Sequence, residues 1–71
     1  MANIKEIKKR MIDRSVTSTQ LADAMGISVS NVYSILRGRT QLTLENAEKM
    51  QEALAISDED FCFYFLPGRS S

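Results

Sequence analysis

The sequence contains no histidine, one cysteine (Cys62) and one proline (Pro67). A single thiol cannot close an internal disulfide, and without imidazoles it supplies no metal-ligand cluster. With no histidine and no nucleophile beside a base, acyl or phosphoryl transfer has little to work with. Neither an enzyme nor a cofactor is therefore expected. No apolar run approaches the ~20 residues that cross a bilayer, so no membrane partner is expected either. The charged opening MANIKEIKKR leads into no apolar signal core, which argues against secretion and for the cytoplasm. In that reducing compartment Cys62 reads as a small apolar filler.

Net charge is also missing, but only in the sum: nine basic side chains balance nine acidic ones. Residues 1–40 hold seven bases (Lys5, Lys8, Lys9, Arg10, Arg14, Arg37, Arg39) against Glu6, Asp13 and Asp23, a balance of +4. Residues 41–71 hold Lys49 and Arg69 against six acids (Glu45, Glu48, Glu52, Asp58, Glu59, Asp60), a balance of −4. Such asymmetry suits a chain whose first half meets a polyanion, although two solvated faces would look the same.

What is present is helical spacing. No stretch alternates like a strand, and no repeat or linker interrupts the 71 residues, which read as a single domain. Helices are predicted at about 4–13, 18–25, 29–37, 44–54 and 58–66, with a short tail at 67–71. Asn3 and Glu6 stand at capping-box spacing, and Ile4, Ile7 and Met11 share a face, with the lysines and arginines between them facing water. This helix should fade near Asp13 and Arg14. Thr17 and Gln20 form a second box inside a Val16–Leu21 staple; Leu21, Ala22 and Met25 supply its buried face, and Gly26 stops it. Ser28 caps the third helix over the stripe Val32, Ile35 and Leu36, and Gly38 ends it. Thr43 starts the fourth, with Leu44, Ala47, Met50 and Leu54 at helical intervals. Ser57 starts the fifth, with Asp60 in the box position, Asp58, Glu59 and Asp60 in the dipole-favoured first turn, and Pro67 and Gly68 as the stop. The expectation is an all-α, compact five-helix bundle.

The link between the second and third helices is only Gly26-Ile27, extending at most to Ser28. So short a connection makes the helices cross steeply, at ~90–120°, in a helix-turn-helix whose second member projects from the surface. The stretch TQLADAMGISVSNVYSILRGRT resembles the helix-turn-helix of the Cro and phage-repressor (XRE-type) family, and the resemblance runs from about residue 4 to about residue 60. It implies a transcriptional regulator that binds operator double-stranded DNA, usually as a dimer and often encoded by a phage or mobile element. Some relatives act instead as repressor modulators, anti-repressors or antitoxins that grip another regulator protein.

Carried onto this sequence, the resemblance puts Val29, Ser30, Asn31, Tyr33 and Ser34 of the third helix against base edges. Ser30 and Ser34 donate and accept, Val29 suits a thymine methyl, Asn31 can pair with adenine, and Tyr33 is a backbone contact or a partial wedge. Phosphates would fall to Ser18 and Thr19 at the start of the second helix and to Arg37, Arg39 and Thr40. Three departures stand out. Ser18 occupies a position commonly filled by glutamine, the base-facing surface lacks Gln and Arg, and the chain is neutral. Each feature also has a plainer reading. Gly26 and Gly38 cap helices in any protein, Arg37 and Arg39 complement a helix end, and Lys8, Lys9 and Arg10 form a solvated face.

Four of the five aromatic residues crowd into FCFYFL, Phe61 to Leu66. Phe61 and Phe65 can join Ile56 in the core, but so small a domain cannot also bury Cys62, Phe63, Tyr64 and Leu66. Those four are expected at a protein interface, serving a homodimer through the C-terminal helix or a heteromer with another repressor.

Overall fold

Four of the five helices begin where a side-chain oxygen takes an orphan amide. A computed structural model describes residues 2–66, and in it the order is α1 (Ile4–Asp13), α2 (Ser18–Met25), α3 (Val29–Leu36), α4 (Leu44–Ala53) and α5 (Asp58–Phe65). The stop at Pro67 and Gly68 and the tail 67–71 lie outside the described residues. The hydroxyls of Thr17, Ser28, Thr43 and Ser57 accept the amides of Gln20, Asn31, Asn46 and Asp60 at 3.1–3.3 Å. Only Thr17 completes the box, since Gln20 Oε1 accepts the Thr17 amide in return at 3.0 Å. The fifth helix has only the serine half of its box, as the shorter aspartate side chain at position 60 makes no return bond. Asn3 caps nothing with its side chain: its ψ of 79° departs from the extended geometry of the other caps. Its backbone amide instead donates to the Tyr64 carbonyl at 2.8 Å, tying the start of α1 to α5.

The ends of the helices share one device. After α1, α2, α3 and α4 a residue with positive φ, respectively Ser15, Gly26, Gly38 and Ala55, reverses the chain. Its amide bonds to the carbonyl three residues back and the next amide to the carbonyl five back, as in Gly26 to Asp23 and Ile27 to Ala22. This is the Schellman arrangement. In three of the four cases the next residue is an apolar anchor packed on the core (Val16, Ile27, Ile56), and a capping hydroxyl follows at once (Thr17, Ser28, Ser57). The joint is thus used three times: Ser15-Val16-Thr17, Gly26-Ile27-Ser28 and Ala55-Ile56-Ser57. Two of the three lack glycine at the reversal: α1 ends at Asp13 through the Schellman bonds of Ser15 and Val16, not through a glycine.

The core is dry. Its buried members are all apolar, among them Ile7, Leu21, Val32, Ile35, Met50 and Leu54 at no more than 2% exposure, and no polar or charged residue is buried among the described residues. Helix α2 packs on α3 and α4, and α1 on α5. Leu44 departs from expectation at 64% exposure. The residue just before the Thr43 cap, Leu42, takes the place against the core. Arg10 departs too. It does not face water freely but lies half-buried, with Nε donating to the Leu54 carbonyl at 3.0 Å and Nη2 to the Ala55 carbonyl at 2.8 Å. It clasps the end of α4.

The shared reversal makes opposite forecasts for two small substitutions. A Cβ added at Gly26 meets nothing within 4 Å, so the cost of Gly26→Ala is backbone conformation alone. Gly26→Ala should lower stability by about 1 kcal/mol and Ala55→Gly should raise it by a similar amount. Urea unfolding followed by circular dichroism reads both.

Candidate nucleic-acid interface

The elbow Gly26-Ile27-Ser28 fixes how α3 is presented. Val32, Ile35 and Leu36 are buried, so the opposite flank must face out. Ser30, Asn31, Tyr33 and Arg37 are exposed, and Ser34 is half-exposed between them. The Asn31 backbone amide donates to the Ser28 hydroxyl, and its exposed side chain is not part of that bond. Val29 is the exception among the expected base readers. It is half-buried and packs against the core, because it stands on the Leu36 side of the helix.

The expected phosphate contacts gather at both ends of the unit. At the start of α2 the capping box satisfies the Gln20 amide and leaves those of Ser18 and Thr19 as the remaining orphans of the first turn. Thr19 is exposed and Ser18 half-buried. At the end of α3, Arg37, Arg39 and Thr40 are all exposed. Here the repeated joint is broken. Where the other reversals are followed by Val16, Ile27 or Ile56 turned into the core, Gly38 is followed by Arg39 turned into solvent. The amides of both Arg39 and Thr40 bond the Ser34 carbonyl, at 2.9 and 3.3 Å, which holds the two side chains beside α3.

A family model described as helix-turn-helix matches residues 7–61. The chain belongs to this family. The match spans the elbow, both of its helices and the start of α5, and it makes the protein a DNA-binding regulator of the Cro and phage-repressor type. The chain matches no curated protein and no solved structure. Helix-turn-helix regulators are not an enzyme family. No helix among the described residues is long and apolar enough to cross a membrane.

The expected interface residues of α5 divide in two. Cys62 and Phe63 are exposed, Phe63 by half, whereas Tyr64 and Leu66 are half-buried and pack against the core. Phe65 is buried, and its ring stacks at 4.8 Å from that of half-buried Phe61.

Two features escape a reading of the sequence. One is the Arg10 clasp, whose only signal is that Arg10 lies three residues after Ile7, on the edge of the apolar stripe. The other is the pairing of Tyr33 with Arg37, whose guanidinium carbon stands 5.9 Å from the ring centroid. The spacing of four residues allows it. The basic side chains therefore sort by role. Arg10→Ala should leave DNA affinity unchanged yet cost about 1.5–3 kcal/mol of stability, since two carbonyls lose a charged donor; paired DNA titrations and urea melts separate the two effects.

Proposed function

We propose that the protein regulates transcription by laying α3 in the major groove of operator DNA. Ser30, Asn31 and Ser34 read base edges at the centre of the exposed flank, with Tyr33 and the half-turned Val29 at its margin. Ser18, Thr19, Arg37, Arg39 and Thr40 hold the phosphates on either side and set the register. The observation that carries this reading is the exposed polar flank of α3, bracketed by orphan amides at one end of the unit and free arginines at the other. The family match supports it.

The chemistry of that flank predicts the character of the binding. Hydroxyls accept and donate, so Ser30 and Ser34 tolerate several bases, and bidentate guanine contacts are absent. Phosphates therefore supply most of the affinity. At roughly three phosphates per subunit, a dimer would show a log–log salt slope of about −5. Arg37→Ala and Arg39→Ala should weaken binding to every duplex and flatten the slope, whereas Ser30→Ala and Ser34→Ala should relax preference at one or two base pairs. Fluorescence anisotropy over a salt series with random and selected duplexes reads both outcomes. If no duplex is bound even at low salt, the reading fails, and a modulator that works by gripping another repressor takes its place.

We also propose that two copies associate through α5. Exposed Phe63 and Cys62 offer apolar surface beside the aromatic cluster. A two-fold pair would set its α3 helices ~34 Å apart on one face of the duplex. Phe63→Asp should convert the dimer to monomer in sedimentation at micromolar concentration without unfolding it. A wild-type chain that sediments as a monomer at all concentrations excludes the homodimer.

A further inference from the structure

A second basic element, on α1, stands next to the reading helix. A groove of about 370 Å³ runs between α1 and the α2–α3 unit. Its floor is apolar, from Met11, Val16 and Leu36, and its rims carry Lys8 from α1, Ser18 from α2, and Tyr33 with Arg37 from α3. No acidic side chain lines it. Among the described residues neither Lys8 nor Arg37 joins an ion pair; the pair that does form is Lys49–Glu45 on α4. At the rim Ile12 is 77% exposed, the most open of the large apolar side chains among the described residues.

A sugar–phosphate strand alternates apolar deoxyribose with charged phosphate. A groove with an apolar floor, cationic rims and no carboxylate matches that alternation, and the phosphate-binding start of α2 opens onto it at Ser18. We propose that one DNA backbone strand runs through this groove, with Lys8 and Arg37 binding phosphates from opposite rims. Tyr33 is a positioning residue: its ring holds the Arg37 guanidinium over the groove, and Ile12 covers the sugar between the phosphates. The inference rests on the placement of α3 in DNA proposed above and extends the DNA-binding surface to α1. It also gives Tyr33 a task distinct from reading bases.

The test uses the full chain and duplex DNA at several salt concentrations. Lys8→Ala should weaken binding to random and selected duplexes alike and reduce the log–log salt slope by about 0.9 for each phosphate that is no longer neutralised. Lys9→Ala, exposed on the same helix but outside the groove, should leave the slope unchanged. Tyr33→Ala should weaken binding about two- to five-fold, as expected when an exposed cation–π pair is removed. Tyr33→Phe should restore it, and in an Arg37→Ala background Tyr33→Ala should weaken binding no further. Parental affinity and slope for Lys8→Ala, while Arg39→Ala and Ser30→Ala behave as described, would overturn the α1 contact and leave α3 reading intact. If Lys8→Ala and Lys9→Ala prove equally damaging, the effect is general charge and the groove loses its role. If Tyr33→Phe is as weak as Tyr33→Ala, the hydroxyl itself touches DNA and the positioning role is excluded. If wild type binds no duplex, both proposals fall together.

Discussion

The rest of the molecule depends on a backbone reversal. Helices of eight or ten residues are too short to persist alone in water, so each must stop and restart where its apolar face meets its neighbours. The left-handed residue, the apolar anchor and the capping hydroxyl do this within three positions. The reversal closes the carbonyl end of one helix, the anchor fixes the joint to the core, and the hydroxyl opens the next helix. At Gly26-Ile27-Ser28 the same joint acquires a functional consequence. Because Ile27 is held down and Ser28 accepts from Asn31, α3 leaves the core at a set angle with Val32, Ile35 and Leu36 inward, and its polar flank has nowhere to go but out.

Gly38 shows what happens when the joint is altered. The reversal and its two hydrogen bonds remain, but the anchor is an arginine and the next helix starts only after Thr43. The chain thereby forgoes an apolar anchor at this joint and places a cation beside the exposed flank of α3. The neutrality of the protein is resolved in the same way, residue by residue. Arg10 is engaged inside, on the end of α4. Asp58, Glu59 and Asp60 sit in the first turn of α5, where the helix dipole favours them, and Glu45 pairs with Lys49 at 3.4 Å. The charges left without internal duty around α3 are Lys8, Arg37 and Arg39. A zero sum over the chain therefore says nothing about the field over the α2–α3 surface.

How much of this was legible in the sequence follows from the range of each interaction. The boxes, caps and apolar stripes involve residues three or four apart, so Thr17–Gln20, Ser28 and Val32–Ile35–Leu36 could be read directly, and with them the five helices and the elbow. Features decided by distant neighbours could not. Arg10 reaches carbonyls 44 and 45 residues away, and the Asn3 amide is claimed by Tyr64 from the other end of the chain. Ser15 and Ala55 carry no glycine signature, so their reversals emerge only once the anchors Val16 and Ile56 are drawn into the core. Leu44 has the spacing of a core residue and fails because Leu42 already fills that place. The exposed flank of α3 was legible as the complement of its buried stripe; the rotation that draws Val29 inward was not.

The composition of that flank bears on how a reader of this kind can discriminate. A serine hydroxyl rotates to donate or accept, so it lowers the cost of a wrong base as well as rewarding the right one, and one good bidentate contact is worth about 1–3 kcal/mol of discrimination that serine does not supply. On the proposed reading, selectivity per subunit is therefore modest. It rises chiefly by requiring two half-sites at a fixed spacing, because a dimer adds the base preferences of both halves while its phosphate contacts hold the two reading helices in register. Register is what makes that requirement strict, and register is set by phosphate-binding groups whose positions do not wander. On that reading the Arg37 guanidinium beside the Tyr33 ring, and the amides of the first turn of α2, would be the groups that serve this purpose. Phosphate contacts so held read no sequence themselves, but they fix the register in which the tolerant flanks of two subunits are read together.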